Sequence, residues 1–356
     1  MKIGILFGGR SYERDISVIT AAEAAAVLKV KESVYPIYAE GGEFFYLKGD
    51  FTIQSFLRKR LKRKKVLFGK YKDRGVLFCG RKRIPLDCML MCCHGGEGEN
   101  GAFSALMEIC DIPYTAPTQA SSVATMDKRW SKILAERFSF QTAKAIWGRR
   151  GEDLPERAKE LRYPKIVKPA RLGSSIGIEV AHDETELIRS IGNAFAFDRD
   201  LVVEEFVEHA VELNCAAFAE GDEIVVGGVE NPRSDHEYLT FEEKYEGGKY
   251  KSGARMIRGE LAERVKKETE KIYRAFELFG IVRVDFLYSE REDRLYLNEI
   301  NSQPGSLAFY LFEDVGIGFG ELLSRVTAEA VRREEQKDII SFNSGVLENL
   351  SALSHK

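Results

Sequence analysis

The sequence predicts an α/β protein of two or three domains. A chain of 356 residues is longer than one ordinary hydrophobic core supports, so more than one domain is expected. Residues 1–7 have the pattern of a buried strand, Gly8 opens a loop, and a helix is predicted from Ser17 to Leu28. A strand, a glycine turn and a helix in succession begin a doubly wound unit. We therefore expect a doubly wound parallel sheet at the N-terminus.

Composition and charge exclude several classes of protein. Hydrophobic residues make up 44% of the chain and charged residues 31%, as in a soluble globular protein. A net charge of −3 lacks the positive excess that attracts nucleic acid or an acidic membrane, so neither is expected as a partner. The sequence contains no apolar run of membrane-spanning length, and no signal peptide precedes the first strand. A cytoplasmic location is expected, with Cys88, Cys92 and Cys93 reduced in a buried strand.

Two N-terminal features leave alternatives open. Residues 58–65 form a dense basic run, which could bind an anion or an acidic partner. Aromatic residues do not interleave it, so a solvated helix or loop is favoured. Glu13 lies in the first glycine loop, where it could bind a cationic group or serve as a helix-entry or surface carboxylate. His94 follows the strand predicted at 86–93 and opens a glycine-rich loop, a position suited to a ligand or to a structural role.

A phosphate-binding loop is predicted near the middle of the chain. Lys128 begins a helix that runs to Phe138. A strand over residues 163–169 contains Lys168 near its end, and Gly173-Ser-Ser-Ile-Gly177 follows. Backbone N–H groups and hydroxyls of such a loop can line a phosphate. The spacing is not that of a Walker motif, but the preceding lysine strengthens the prediction.

The next part of the chain alternates between strands and a long polar segment. Strands are predicted at residues 201–207, 211–218 and 224–229, the last two as a hairpin pair. Residues 231–252 are polar, glycine-containing and rich in tyrosine, which favours a lid over the site. An amphipathic helix is predicted over residues 261–279.

Residues 281–301 are predicted to form a hairpin that gathers charged groups on one face. If its turn is centred near residue 292, Asp285 lies opposite Glu299 and Arg283 opposite Asn301. Two carboxylates and an amide in one patch suit Mg²⁺, which prefers hard oxygen ligands and substrate phosphates. The alternative is the solvated face of an ordinary hairpin, in which opposed like charges would be unfavourable without a cation.

Taken together, these motifs resemble the ATP-grasp superfamily and, within it, the D-alanine–D-alanine ligases of peptidoglycan synthesis. The resemblance covers nearly the whole chain. Its markers, in order, are Gly8-Gly-Arg-Ser-x-Glu13, His94-Gly-x-x-Gly-Glu-Asn-Gly101, Met126-Asp-Lys128, Val167-Lys-Pro-x-x-x-Gly-Ser-Ser-x-Gly177, Lys244-Tyr245, Arg283-x-Asp285 and Asn298-Glu-Ile-Asn-x-x-Pro-Gly305.

The resemblance implies a three-domain ATP-grasp architecture. Residues 1–115 would be an N-terminal α/β domain on the substrate side, and residues 116–207 the central subdomain. Residues 208–356 would form the C-terminal subdomain with the metal and catalytic site. ATP would bind between the last two. Such proteins are commonly dimeric through the N-terminal domain, so a homodimer is one expected assembly, although no residue pattern here establishes it.

The resemblance also implies the reaction. The carboxylate of one amino acid attacks the γ-phosphate of ATP to give an acyl phosphate. The amine of a second amino acid then attacks that carbonyl, releasing phosphate and forming a dipeptide. Both steps concentrate negative charge, so positioning and electrostatic stabilisation would provide the catalysis.

The resemblance implies roles for particular residues of this sequence. Lys128 and Lys168 would contact the ATP phosphates, and Lys168 could also reach the adenine. Further residues would complete the nucleotide-binding site. They are the loop residues Gly173, Ser174 and Ser175, the adenine-binding hinge residues Glu204, Glu205 and Val207, and Glu212, which would bind the ribose.

Metal and catalytic roles follow in the same way. Asp285, Glu299 and Asn301 would bind two Mg²⁺ ions, with Mn²⁺ as an alternative and Glu299 bridging the pair. Arg283 and the Gly305 N–H would stabilise the oxyanion. In the remaining roles, Glu13 would hold the first substrate's ammonium, His94 would lie near its carboxylate, and Tyr245 would complete a hydrogen-bonded triad with Glu13 and Ser174.

One departure from the family pattern concerns the second substrate. Many members have a serine five residues after the Pro-Gly pair, and its hydroxyl binds the second substrate's carboxylate. Here Tyr310 occupies that position, with Leu311 beside it. A phenol could donate the same bond but is bulkier, so a different amino or hydroxy acid is the alternative acceptor. Tyr245 occupies a position where a histidine could stand, which argues against a ligase that adds D-lactate, as in relatives from vancomycin-resistant bacteria.

A second alternative is a non-catalytic, nucleotide-binding regulatory protein with the same fold. The sequence argues against it, because both lysines, the three metal ligands and Arg283 are present.

Overall fold

Three β-sheets organise the part of the chain that the structure describes. The structure is a computed structural model, and it describes residues 1–232, 255–336 and 346. Within these residues the sheets have seven, four and five strands, with helices between them. The prediction of an α/β fold is confirmed.

The first sheet joins a parallel part to an antiparallel extension. Its order is β6-β5-β4-β3-β2-β1-β7, and β1 pairs in parallel with both β2 and β7, as a doubly wound unit requires. The extension from β3 to β6 is antiparallel. The strands are β1 (Lys2–Gly8), β2 (Ser33–Glu40), β3 (Glu43–Lys48), β4 (Lys62–Tyr71), β5 (Arg74–Cys79), β6 (Lys82–Pro85) and β7 (Cys88–Met91); the helices are α1 (Arg14–Leu28), α2 (Ile53–Leu57), α3 (Gly96–Glu99) and α4 (Ala102–Ile109).

The basic run corrects one prediction. Residues 62–65 are solvent-exposed as expected, but they begin strand β4 instead of a helix or loop. Acidic side chains compensate the charge, since Arg63 donates over 2.5 Å to Glu40 at the end of β2 and Lys65 pairs with Glu43 on the adjacent strand β3. The Arg63 guanidinium also lies 4.2 Å from the centre of the Phe45 ring. Cross-strand pairing of this kind stabilises a sheet and permits a basic strand.

The second sheet is antiparallel, in the order β10-β9-β11-β8. Two helices precede it and two accompany it. The elements are α5 (Gln119–Met126), α6 (Lys128–Arg137), β8 (Ala145–Arg149), α7 (Leu154–Arg157), β9 (Lys165–Pro169), β10 (Glu179–Ala181), α8 (Glu184–Ala194) and β11 (Asp200–Glu205).

The third sheet has the order β14-β13-β12-β15-β16, with every neighbouring pair antiparallel. Both predicted hairpins are present, β12 with β13 and β15 with β16. The helix predicted over residues 261–279 ends at Ala275, because Glu277 takes a left-handed backbone with φ of 49°. The elements are β12 (Val211–Glu220), β13 (Glu223–Asn231), β14 (Arg255–Ile257), α9 (Glu260–Ala275), β15 (Val282–Ser289), β16 (Arg294–Asn301), α10 (Phe309–Glu313) and α11 (Phe319–Glu335).

A hydrophobic core joins the first sheet to the third. Ile5 and Ala21, from β1 and α1, belong to the same buried cluster as Phe218, Leu311 and Val326 from the C-terminal part. The apolar residues of α1 therefore pack against elements more than 190 positions later in the chain. This packing brings the glycine loop before α1 close to the segment after β16.

Candidate active site

Four polar residues form a row across the third sheet. Asp285 on β15 lies opposite Glu299 on β16, and Arg283 lies opposite Asn301, which confirms the predicted register. On the other side of β15, Asn214 on β12 pairs with Asp285 and in turn with Glu230 on β13. Residues directly opposite one another share a face of the sheet. Glu230, Asn214, Asp285 and Glu299 therefore form a polar row on one face.

Arg283 and Asn301 surround the Asp285 carboxylate. Arg283 donates from Nε to Oδ1 over 2.7 Å and from Nη2 to Oδ2 over 2.8 Å, a two-point ion pair. Asn301 donates from Nδ2 to Asp285 Oδ2 over 2.8 Å. Both Arg283 and Asp285 are buried. The predicted oxyanion donor and one predicted metal ligand are therefore in direct contact.

The donor set at this point fits a divalent cation. Two carboxylates face each other across paired strands, an arrangement that is unfavourable without a positive charge between them. Asn301 uses Nδ2 to contact Asp285, which leaves Oδ1 as its oxygen ligand. Carboxylate and amide oxygens are ligands that Mg²⁺ accepts. Asp285, Glu299 and Asn301 could hold such an ion.

A cleft between the second and third sheets collects the residues predicted to bind ATP. Its walls come from α6, β9 and β11 on one side and from β12, β15 and β16 of the third sheet on the other. Gly173 and Ser174 do not line this cleft, but the other residues predicted to bind ATP do, together with the predicted metal ligand Glu299: Lys128, Lys168, Ser175, Glu204, Glu205, Val207 and Glu212.

Lys128 connects this cleft to the predicted metal ligands. It lies in the first turn of α6, directly after Asp127, whose side chain caps the helix by accepting from Arg129 N. Its Nζ donates to the Leu172 carbonyl over 2.6 Å and lies 3.7 Å from Glu299 Oε2. The lysine therefore links the phosphate loop to a carboxylate of the polar row.

A buried ionic cluster forms the back of the cleft. Lys168 Nζ donates to Glu204 Oε2 and to Asn298 Oδ1, each over 3.0 Å. Lys132 Nζ lies 3.2 Å from Glu204 Oε1. Burial alone would raise the pKa of Glu204, but the two lysines lower it overall, while burial lowers the pKa of Lys132.

Sequence reasoning did not assign roles to Lys132 and Asn298. Lys132 is four residues after Lys128 on the predicted helix, so it shares the face of that lysine, and this spacing was the available signal. Asn298 lies within the motif that supplies Glu299.

The predicted phosphate loop, residues 173–177, is held at Ser174 and at Arg171 just before it. Ser174 and Ser175 have left-handed backbones, with φ of 54° and 58°, and Ser174 Oγ donates to the Glu13 carboxylate. Before the loop, Arg171 is bound by Asp200 over 2.8 Å and also by Asp198. The loop is therefore fixed to the start of α1 and to the second sheet.

Asp200 is the centre of an arginine cluster. Its carboxylate is 1% exposed and contacts Arg129 Nη1 at 3.0 Å, Arg149 Nε at 3.0 Å and Arg171 Nη2 at 2.8 Å. Burial would raise the pKa of Asp200, but these arginines hold it below its usual value. One buried carboxylate thus joins the start of α6 to the phosphate loop.

A second cleft of about 300 Å³ lies between Glu13 and the phosphate loop. Glu13, Gly95 and Gly173 line it, and Leu172 lines both this cleft and the nucleotide cleft. A Cβ added to Gly173 would lie 3.4 Å from Glu13 Oε2, about van der Waals distance, which shows how near the loop lies to this carboxylate.

His94 is buried with both ring nitrogens engaged. Nδ1 donates to the Gln303 carbonyl over 2.7 Å, since a carbonyl can only accept. Nε2 therefore accepts from the Thr20 hydroxyl over 2.8 Å, and Thr20 Oγ1 accepts from Ser306 N. Burial lowers the pKa of His94 and favours the neutral ring. His94 thus supports the backbone on both sides of Gly305.

The predicted acceptor residues occupy different environments. Tyr310 donates its hydroxyl proton to Glu230 Oε1 over 2.8 Å. Leu311 is fully buried in the core shared by the first and third sheets. Tyr245 and most of the predicted lid lie outside the described residues.

Glu230 was not singled out by sequence reasoning. Burial raises its pKa, and the charge of Arg283 opposes that shift. The strand predicted at residues 224–229 stops one residue before it, and its place in the polar row depends on the pairing of β13 with β12.

Comparison with protein families decides the classification. A model of the D-alanine–D-alanine ligase N-terminus matches residues 2–117, and one of the C-terminus matches residues 133–328. The chain belongs to the D-alanine–D-alanine ligase family. A D-alanine–D-alanine ligase of Campylobacter jejuni subsp. doylei is 34% identical over 350 residues, which cover 96% of this chain and 98% of that relative.

Solved structures of D-alanine–D-alanine ligases share the fold. The ligase from Helicobacter pylori is 27% identical, with a TM-score of 0.73 and coverage of 91% of this chain and 98% of that one. The ligase from Bacillus anthracis complexed with ATP is 24% identical, with a TM-score of 0.70 and coverage of 95% and 100%. Among the described helices, none combines the length and apolar character needed to span a bilayer.

Proposed function

We propose that this member of the family joins two D-alanine molecules, using ATP, to form the dipeptide for peptidoglycan synthesis. The observation that carries the proposal is the meeting of Lys128 with Glu299 where the nucleotide cleft reaches the polar row. A phosphate bound there would lie between the lysines of the second sheet and the carboxylates of the third. That arrangement suits transfer of a phosphoryl group.

The nucleotide would occupy the cleft between the second and third sheets. Lys128 and Lys168 would bind its phosphates, and the loop from Gly173 to Ser175 would close over the γ-phosphate. Glu204, Glu205 and Val207 would hold the adenine and Glu212 the ribose, which agrees with their positions around the cleft, where all four line the wall.

The first D-alanine would bind in the cleft beside Glu13. The Glu13 carboxylate would pair with the substrate's ammonium, and its hydrogen bond to Ser174 would hold it in place. Tyr245 would complete this triad. His94 has both nitrogens occupied, so we assign it to support of the backbone near the substrate's carboxylate.

The carboxylate of the first D-alanine would attack the γ-phosphate to give an acyl phosphate. The amine of the second D-alanine would then attack the acyl carbon, and phosphate would leave. Arg283 and the Gly305 N–H would stabilise the oxyanion that forms in between. Arg283 is fixed for this role by its two-point contact with Asp285.

Asp285, Glu299 and Asn301 would hold two Mg²⁺ ions, for which Mn²⁺ is an alternative. When bound, the ions would neutralise the phosphate oxygens. Arg283 and Asn301 contact Asp285, and Lys128 lies near Glu299, so each carboxylate also has a positive or donating protein group beside it.

We also propose the three-domain division at residues 1–115, 116–207 and 208–356. It is supported by the three sheets, whose strands lie within residues 2–91, 145–205 and 211–301. We further propose a cytoplasmic location and a homodimer formed through the N-terminal domain. Amino acids would be the substrates besides ATP, and neither nucleic acid nor a membrane would be a partner.

Phosphate release tests the reaction. With ATP and Mg²⁺, D-alanine alone is expected to support turnover, and chromatography is expected to show the dipeptide. A panel of D-alanine paired with other amino and hydroxy acids runs beside it. Turnover with another pair and none with D-alanine alone would establish the alternative acceptor. No turnover with any pair, together with ATP binding, would establish a regulatory nucleotide-binding protein.

A further inference from the structure

A carboxylate on α3 binds the connection that carries Glu13. Glu97 Oε2 accepts from the Arg10 N–H over 2.8 Å, and Glu97 Oε1 accepts from Arg10 Nε. The Glu97 side chain is 17% exposed. Burial would raise the pKa of Glu97, but its bonds to Arg10 hold it below its usual value, which favours the charged form. One carboxylate thus binds both the backbone and the side chain of a residue in the connection between β1 and α1, residues 9–13.

This connection and the start of α3 line the same cleft, the one proposed for the first substrate. Arg10, Ser11 and Glu13 line it from one side, and Gly95 and Gly96 line it from the other. The two backbones approach closely. A Cβ added to Gly96, which has φ of 48°, would lie 2.5 Å from the Arg10 carbonyl oxygen. The relative position of the two segments therefore sets the shape of the cleft.

The carboxyl groups of Glu13 and Glu99 oppose this approach. Burial, and after it the charge of Glu13, raises the pKa of Glu99 well above its usual value, so the two groups are near enough to interact unfavourably. Glu99 lies on α3 with Glu97, whereas Glu13 lies in the connection with Arg10. The attraction between Glu97 and Arg10 therefore offsets a like-charge interaction between the same two segments.

We propose that Glu97 is a positioning residue that, by binding Arg10, keeps Glu13 in place for the ammonium of the first substrate. This inference rests on the proposed function, because it places that ammonium at Glu13. Residue 97 is an open position in the family marker His94-Gly-x-x-Gly-Glu-Asn-Gly101, so the resemblance assigns it no role.

A displacement of Arg10 would reach Glu13 through a short turn. Glu13 N donates to Ser11 Oγ over 3.0 Å, and Arg14 N donates to the Ser11 carbonyl over 3.3 Å. These bonds make residues 11–14 move as one unit with the start of α1. Glu97 does not itself line the cleft, so it would act on the substrate through this unit.

Hydroxylamine separates the first half of the reaction from the second. Its nitrogen attacks the acyl carbon of the acyl phosphate and loses a proton, phosphate leaves, and a hydroxamate forms. With saturating ATP, Mg²⁺ and hydroxylamine, the dependence of hydroxamate formation on D-alanine gives the KM for the first substrate. Titration calorimetry with a non-hydrolysable ATP analogue, without D-alanine, gives the nucleotide affinity.

Glu97→Leu removes both bonds to Arg10. It is expected to raise the first-substrate KM about tenfold and to leave kcat within about threefold, as for the loss of one well-formed hydrogen bond and one exposed ion pair. Nucleotide affinity is expected to stay within about twofold, because neither segment lines the nucleotide cleft. Arg10→Leu keeps the backbone bond and loses only the pair of a side chain that is 73% exposed, so its KM is expected to rise about threefold. The double variant is expected to match Glu97→Leu, because the Arg10 side chain has then already lost its partner.

Three further variants serve as controls. Glu97→Gln keeps an oxygen that accepts from the Arg10 N–H, so most of the first-substrate affinity is expected to return. Glu220→Leu removes a two-point pair with Arg325, between β12 and α11, and neither residue lines either cleft. It is expected to leave the first-substrate KM and the nucleotide affinity unchanged. Glu97→Ala removes the same bonds without adding an apolar side chain, and it replaces Glu97→Leu if that variant fails to fold.

Several outcomes would overturn the inference. One is an unchanged first-substrate KM in a folded Glu97→Leu or Glu97→Ala variant. Another is a loss of kcat and nucleotide affinity by the same factor as the rise in KM, which is what a purely structural role predicts. Additive effects in the double variant would also reject it.

The wild-type chain tests the proposed function separately. If it forms a hydroxamate with another amino acid and none with D-alanine, the proposed first substrate is wrong, and the same variants measured with that amino acid test Glu97. If it forms a hydroxamate with no amino acid, the proposed function and the role of Glu97 both fail.

Discussion

Lys128 Nζ lies 3.7 Å from Glu299 Oε2 while donating a 2.6 Å hydrogen bond to the Leu172 carbonyl. One lysine at the start of a helix thus joins the loop proposed to close over ATP to a carboxylate proposed to bind metal. The phosphoryl group and the metal would meet at this contact.

Glu299→Gln is expected to lower turnover by orders of magnitude and to leave the fold intact, because an amide lacks the negative charge with which the Glu299 carboxylate would hold Mg²⁺. The change removes both the repulsion between Glu299 and Asp285 and the attraction between Glu299 and Lys128, so the stability measured without Mg²⁺ is expected to stay close to that of the wild type. Phosphate release and thermal unfolding, with and without Mg²⁺ and ATP, measure both effects.

Glu290→Gln is the matched control, since Glu290 is exposed in the turn of the same hairpin. It is expected to behave as the wild type. Wild-type activity in Glu299→Gln would remove that residue from the metal site.

Lys132→Met is expected to weaken ATP binding about tenfold and to lower the free energy of unfolding by about 3 kcal/mol. The change leaves the buried Glu204 with one of its two lysines, and a buried charge that loses a partner is destabilising. Urea unfolding and the KM for ATP measure the effects. Arg137→Met, at the exposed end of the same helix, is the control. An unchanged KM for ATP would mean that Lys168 alone orients Glu204.

Asp200→Asn is expected to raise the KM for ATP more than it lowers kcat. The variant removes the charge that holds Arg129 and Arg171, so both the start of α6 and the phosphate loop lose an anchor. Asp222→Asn, an exposed aspartate, is the comparison. If the Asp200 variant changes stability without changing the KM for ATP, the arginine cluster serves the fold and not the loop.

His94 makes stability depend on pH in a defined direction. Its pKa is lowered in the folded protein, so below about 6.5, the usual pKa of histidine, the unfolded chain binds a proton that the folded chain does not. Stability is expected to fall as pH drops from about 6.5 towards the folded-state pKa of His94. In His94→Gln this part of the loss is expected to disappear, and in His182→Gln, at an exposed histidine, it is expected to remain. Identical pH profiles of His94→Gln and wild type would show that His94 is not buried in neutral form.

Local pattern was enough to predict the parts of the site that lie on single hairpins and loops. Alternation along residues 281–301 gave the opposition of Asp285 to Glu299, because a turn fixes the register of both strands. The helix after Lys128 and the strand before the glycine loop were also predicted from neighbouring residues.

Interactions between distant elements could not be predicted in this way. The pairing of Glu230 with Tyr310 joins residues 80 positions apart and depends on how α10 packs against β13. Nothing in the local sequence of residues 58–65 indicated a strand, since the acidic partners Glu40 and Glu43 lie on separate elements. Contacts of this kind require the tertiary fold.

The hydrogen bonds around His94 have a consequence for biosynthesis. His94 binds the Gln303 carbonyl 209 positions later, and Thr20 binds Ser306 N across 286 positions. A ribosome adding about 5–20 residues per second needs roughly 10 to 40 s to travel from His94 to Gln303. During that interval the nascent chain carries the first-substrate side of the site without the backbone that completes it. Activity can therefore begin only after synthesis has passed Ser306, however early the first domain folds.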